Sequence, residues 1–248
     1  MIVQGKQLMR NRLYLVRHGE NVANLTKEFS YRQVDYSLTA KGVLQAQQTA
    51  AYFTDKNIHA IYTSPLKRAV ETADILARGL HVQVVILEHF REVNVGTLEG
   101  QPVRTEHWAL YQRIFADWYA GKSATAFPGG ESYDMLWDRM RAGLQQVLAH
   151  QAGQNMIIVG HGGLFTATLQ DLCAGIDVGR LRHRPNHNGS ITEILAEWRD
   201  GTVVGELMHW ASTAHLHGEA AEVEPGVPEM VRPLAQQGGE QTPEPPVT

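Results

Sequence analysis

Cysteine is almost absent: Cys173 alone in 248 residues leaves no partner for an internal disulfide. A disulfide-stapled secreted scaffold is therefore excluded, and a reducing cytoplasm is the expected setting. The opening MIVQGKQLMRNR has no apolar stretch of the kind a secretory signal needs. Neither sign of charge dominates, with 22 Lys and Arg against 26 Asp and Glu, a formal −4. That balance gives no basic footprint for nucleic acid. Long hydrophobic runs are missing too: the most weakly charged part of the chain, around residues 142–170, is broken throughout by Gln, Asn, His and Gly. No membrane span is expected. What the chain does have is 43% hydrophobic residues over a length sufficient for one large domain or two small ones.

Short apolar runs alternate with longer amphipathic segments. Leu13–Val16, Ala60–Thr63, Val82–Leu87 and Met156–Val159 are rich in β-branched residues and read as buried strands. Thr39–Phe53, Leu66–Leu76 and Ser132–Leu148 carry apolar residues near a 3.6-residue period and read as helices. Ser190–Trp198 and Thr202–Trp210 flank Asp200-Gly201, a dipeptide suited to a primed two-residue turn, and so predict a hairpin. The pattern predicts an α/β fold, a three-layer sandwich with a mostly parallel central sheet and helices on both faces. Residues 98–150 read as a helical insertion over the active site, within a catalytic domain spanning 1–218. Trp108, Tyr111, Phe115, Trp118 and Tyr119 share one helical face there, read as packing in preference to a substrate wall. Residues 219–248 hold six of the ten prolines and six Glu against one Arg. This acidic tail is expected to supply no core and to lie in solvent or dock on the surface.

Charged groups follow three of the strands directly. Leu13–Val16 runs into Arg17-His18-Gly19-Glu20, Ala60–Thr63 into Ser64-Pro65-Leu66-Lys67-Arg68, and Ile157–Val159 into Gly160-His161-Gly162-Gly163; Val82–Leu87 precedes Glu92. Ligands bind outside the carboxyl ends of strands in open α/β sheets. Parallel strands would bring Arg17, His18, Arg68 and His161 to one rim, where two guanidinium forks and an imidazole suit phosphoryl oxygens. Gly162 and Gly163 open a further helical run, so free N–H groups at its start are expected to face the same anion. Glu20 reads as a partner for a base near a helix start, Glu99-Gly100 as a turn into the insertion, and Cys173 as core packing.

The chain resembles the histidine phosphatase superfamily, the phosphoglycerate mutase-like family. The resemblance rests on Arg17-His18-Gly19-Glu20-Asn21 with Asn24, Asp35-Tyr36-Ser37-Leu38-Thr39, Ser64-Pro65-Leu66-Lys67-Arg68-Ala69, Arg91-Glu92, Pro128-Gly129-Gly130-Glu131-Ser132 and Val159-Gly160-His161-Gly162. It implies that His18 is the nucleophile, that Arg17, Arg68 and His161 bind the phosphoryl group, and that Glu92 donates a proton to the leaving oxygen. It implies substrate contacts for Asn24 and Gly162, no metal or other cofactor, and a small phosphorylated substrate. The Phe-x-Gly-Trp pattern and paired Arg-Arg of the family's mutases are missing here, which points to its phosphatase branch. Arg32 stands where those phosphatases carry Gly; it is a candidate contact to a second anionic group, with solvent exposure as the plainer reading. A phospho-ligand binding module without turnover is the competing class, but binding alone needs neither nucleophile nor acid. Oligomeric state is not encoded legibly, and a homo-oligomer is left open.

Overall fold

A computed structural model describes residues 10–177 and 184–222. Six strands form one sheet in the order β3-β2-β4-β1-β5-β6. These are β1 Asn11–Arg17, β2 Ile58–Thr63, β3 Val84–Ile86, β4 Asn155–Gly160, β5 Ile191–Arg199 and β6 Thr202–Ser212. The first four in spatial order run parallel, and β5 and β6 are antiparallel additions. Asp200 and Gly201, both at positive φ (54° and 79°), make the tight turn between them. The third predicted strand shrinks to Val84–Ile86, an edge on which Val85 and Ile86 remain exposed.

Side-chain alternation along β1 separates two cores. Leu13 and Leu15 pack with α5 (Tyr133–Leu148), α6 (Gly162–Leu172) and part of α4 (Thr105–Tyr119), while Tyr14 and Val16 pack with α2 (Ala40–Tyr52) and α3 (Lys67–Leu80). A strand buried on both faces needs apolar residues at every position, which is why the β1 and β4 sequences read as continuous hydrophobic runs. This is the predicted three-layer sandwich. Of residues 98–150, α4 lies at the site described below, whereas α5 packs under β5 and β6 as part of the helical layer. Among the described residues, no helix is long and apolar enough to cross a membrane.

The short helix α1 (Val22–Thr26) follows β1 and starts with a reciprocal cap between Asn21 and Asn24. The loop joining them, residues 18–20, rests on the first turn of α2. Thr39 caps that helix and also donates to Glu20 Oε1 at 2.8 Å, and Lys41 pairs with Glu20 Oε2 at 3.1 Å. Glu20 thus stabilises a helix start, as its sequence position suggests. Of residues 219–248, only 219–222 lie within the described part. There a short 3-10 turn, Gly218–Ala221, docks on α2 through Gln45 Nε2 donating to the Ala220 carbonyl at 3.1 Å.

Backbone meets backbone where Gly19 and Gly42 cross. A Cβ added to Gly42 would lie 2.1 Å from the Glu20 carbonyl oxygen. Helix propensity favours Ala over Gly by about 1 kcal/mol, but the clash forces a backbone shift worth about 1–3 kcal/mol. Gly42→Ala is expected to lower the midpoint of chemical denaturation and also kcat, since the displaced loop carries His18.

Candidate active site

The carboxyl ends of β1, β2 and β4 meet at a cavity of about 750 Å³ lined by Arg17, His18, Arg68, Glu92 and Gly162. His18, at 2% exposure, is held from both sides. Its Nδ1 lies 2.7 Å from the Gly19 carbonyl, and Arg68 Nε lies 3.0 Å from its Nε2. A carbonyl accepts only and a guanidinium donates only, so the hydrogen is on Nδ1 and the lone pair on Nε2. Burial first, then the Arg68 and Arg17 charges, push the imidazole well below its usual range; the Gly19 bond opposes them. His18 is therefore held neutral, with its lone pair on Nε2.

Arg68 sits at the second residue of α3. Its other nitrogens donate to the Ser30 hydroxyl (2.8 Å) and the Ser30 carbonyl (3.0 Å), and burial pushes its pKa down to about 10. Asp35 Oδ1 accepts the Lys67 N–H at 2.9 Å, so a loop carboxylate caps the helix that presents Arg68. Arg17 is half-buried and donates to the Asn186 carbonyl, while its buried Nε has no partner among the described residues. A Cβ on Gly162 would lie 3.2 Å from that Nε, so the missing side chain lets the guanidinium lie against α6.

His161 is fully buried, its ring centroid 5.1 Å from that of His18. Its Nε2 is 2.7 Å from the Ser64 hydroxyl, which leaves Nδ1 buried and unpartnered among the described residues. Burial, followed by the charge on Arg68, lowers its pKa well below the ordinary value.

Glu92 corrects one expectation. Two N–H groups at the start of α6 are not free for an external anion: Gly163 donates to Glu92 Oε2 at 3.1 Å and Leu164 to Oε1 at 2.8 Å, whereas Gly162, on the cavity lining, is not among the Glu92 donors. Val93 N–H adds a third bond, to Oε1 at 2.8 Å. The carboxylate occupies the favourable pole of the helix dipole itself. Its loop is fixed by Arg139, which spends its donors on the carbonyls of His89, Arg91 and Glu92 and pairs with Glu131 at 2.8 Å. Asn24 lies on the cavity wall and its Oδ1 accepts from Asn188 Nδ2 at 3.0 Å.

Arg32 is not brought to the cavity. It is exposed beside the Tyr31 ring at 5.8 Å, so the contact with a second anion is replaced by the solvent-facing position. Its loop is instead organised by Glu99, whose Oε1 accepts the N–H groups of Tyr31, Arg32, Gln33 and Val34 at 2.5–3.2 Å. Glu99 therefore anchors a distant loop in addition to preceding the insertion. The aromatic face of α4 serves both readings: Phe115 and Trp118 are core, with Tyr111 and Tyr119 packed against them, and Trp108, Tyr111, Phe115 and Tyr119 also line the cavity.

Sequence reasoning missed Ser30, Arg139, Asn186 and Asn188. A signal existed for the last two. Pro185-Asn186-His187-Asn188-Gly189 is a turn-rich cluster before a strand, and β5 runs antiparallel to β1 with Ile191 opposite Val16. The loop entering β5 consequently lands on the rim where β1 ends.

Two outcomes follow from this geometry. Glu99→Gln keeps the side-chain shape but removes the charge that collects four N–H groups, a loss of about 1 kcal/mol. It should lower kcat because the loop it holds carries Ser30, the partner of Arg68; kinetics and denaturation on the same preparation check this. His18 and His161 both have folded pKa values below the unfolded value near 6.5. The unfolded chain then binds protons that the folded chain refuses, so stability is present above about pH 6.5 and is lost as pH falls below it. Melting temperature against pH should show this decline, reduced in His161→Gln.

The model of the histidine phosphatase superfamily (branch 1) matches residues 13–210. Over 196 residues, 78% of this chain and 93% of the relative, there is 34% identity to a provisionally named phosphoserine phosphatase 2 of Hydrogenobacter thermophilus. A protein of Yersinia pestis (strain Pestoides F), provisionally named phosphoglycerate mutase GpmB, is 33% identical over 213 residues, 82% of this chain and 94% of the relative. Among solved structures, Bacillus stearothermophilus YhfR is similar with a TM-score of 0.67 at 26% identity, covering 83% of this chain and 98% of that one. With most of the chain matched in order and the cavity built from the matching strand ends, the protein belongs to the histidine phosphatase superfamily, branch 1.

Proposed function

We propose that the chain hydrolyses phosphomonoesters of small metabolites through a phosphohistidine on His18. The observation that carries this reading is the two-sided hold on the His18 ring, which leaves Nε2 as the sole lone-pair nitrogen of a neutral imidazole beside Arg17 and Arg68. In the first step Arg68 Nε–H turns from Nε2 to an equatorial oxygen of the entering phosphoryl group, the freed Nε2 lone pair attacks phosphorus, and the bond from phosphorus to the ester oxygen breaks. Glu92, which takes up a proton from solvent as the phosphoryl dianion enters, gives that proton to the ester oxygen and the alcohol departs. In the second step Glu92 takes a proton from water, the water oxygen attacks phosphorus, the N–P bond breaks, and inorganic phosphate leaves with His18 neutral again. Arg17 and Arg68 neutralise the equatorial oxygens, and His161 Nδ1, lacking a partner among the described residues, is suited to a further hydrogen bond.

The relative provisionally named a phosphoglycerate mutase supports a second reading, transfer of the phosphoryl group to another hydroxyl of the substrate instead of water. Comparing phosphate release with interconversion of 2- and 3-phosphoglycerate separates the two; faster interconversion overturns the hydrolase reading.

His18→Ala should abolish turnover with the fold retained, and quenching wild type in alkali during turnover should trap phosphate on the His18 peptide by mass spectrometry. Label on another residue would overturn the assignment. Loss of the Arg68 side chain should reduce kcat by about 10²-fold, the scale for removing one charge-stabilising donor.

A further inference from the structure

Tyr111 carries a polar group that the steps above leave without a task. Its ring is held by stacking: Phe29 and Phe115 lie against it with centroids 5.3 and 4.4 Å away and interplanar angles of 28° and 29°. Rings packed in this way tilt little, so the direction of the hydroxyl is set. A phenylalanine would pack as well, yet the residue is half-buried on the cavity wall with an oxygen that bonds to no group among the described residues. Unlike Arg17 Nε nearby, that oxygen is not sealed from the cavity.

The two glycines that open α6 show where the hydroxyl points. A Cβ on Gly162 would lie 3.2 Å from Arg17 Nε, and one on Gly163 would lie 2.8 Å from Glu92 Oε1 and 3.2 Å from the Tyr111 hydroxyl oxygen. Guanidinium, carboxylate and phenol thus close on one helical turn that has no side chains of its own. Burial first, then the Glu92 charge, push the phenol pKa well above its ordinary value, and Arg17 opposes them. The hydroxyl keeps its proton and can act on a ligand only through hydrogen bonds.

Glu92 has room for one more partner at this corner. Its Oε1 already accepts two N–H groups, from Val93 and Leu164, whereas Oε2 accepts one, from Gly163. With two lone pairs on each oxygen, Oε2 is the one that can carry a proton. An ester oxygen parting from phosphorus gains negative charge and has lone pairs for two donors, of which Glu92 supplies one.

We propose that Tyr111 is a further catalytic residue, its hydroxyl donating a hydrogen bond to the ester oxygen while Glu92 protonates it. No proton leaves Tyr111. The bond from phosphorus to the ester oxygen breaks, the Glu92 proton goes to that oxygen, and the phenol stabilises the charge that develops on it. In the second step the attacking water takes the vacated place, accepts the same hydrogen bond and passes its proton to Glu92. The proposal rests on the hydrolase reading above and adds a residue to it.

The test compares para-nitrophenyl phosphate with para-nitrobenzyl phosphate, using the full chain. Nitrophenolate leaves without help from a donor, whereas the benzyl alkoxide needs one, and the two esters differ by a single methylene. The readout is kcat/KM, which covers the steps through departure of the alcohol and so omits the water step. Tyr111→Phe keeps the stacked ring and removes only the hydroxyl. The ratio of kcat/KM for the benzyl ester to that for the phenyl ester should fall about ten- to hundredfold, the scale of one hydrogen bond to a charged oxygen. Glu92→Gln should lower the same ratio. Because each ratio is taken within one preparation, it is independent of the folded fraction, so a poorly folding variant still reports. A parallel loss on both esters in Tyr111→Phe, or no loss on either, overturns the role of Tyr111; a fall of the ratio in Glu92→Gln alone leaves the hydrolase reading standing. Release of phosphate from neither ester by wild type overturns both.

Discussion

Two guanidinium groups packed beside one buried imidazole set the terms for everything around them. Charge taken out of water must be solvated by the protein, and Arg17 and Arg68 are served by backbone carbonyls, the Ser30 hydroxyl and the Glu92 charge. The same positive field keeps His18 and His161 neutral, because a protonated imidazole would face both repulsion and desolvation. On the proposed reading, nucleophile and anion site are two results of one electrostatic arrangement, and an entering phosphoryl dianion would add the negative charge that balances the two arginines.

Carboxylates carry much of the structural support. Glu92 caps α6, Glu131 holds Arg139, Glu99 gathers the loop that bears Ser30, and Asp35 caps the helix that bears Arg68. Three of the four join segments more than 30 residues apart, and Glu131 reaches Arg139 eight residues further on. Positioning by many short backbone bonds suits phosphoryl transfer, in which alignment and charge neutralisation carry most of the rate. The aromatic surface of α4 meets a separate need, shielding one side of the cavity while Trp108 and Tyr111 remain accessible from within it.

Local pattern determined a good deal of this protein. Two-faced burial makes β1 and β4 continuous apolar runs, the period of α2 and α5 exposes their helical character, and Asp200-Gly201 declares the hairpin. Arg17, His18, Arg68 and His161 were legible as one site because each lies within a few residues of a strand's carboxyl end, and parallel strands must bring those ends together. Tertiary structure alone decided the rest. That two N–H groups opening α6 belong to Glu92, that four N–H groups of residues 31–34 converge on Glu99, and that Arg32 points away from the cavity involve partners up to 72 residues apart. Periodicity reports which face of an element is buried, since many residues repeat that information. A single polar pair formed across the fold repeats nothing, so it becomes visible only when packing places the two segments side by side.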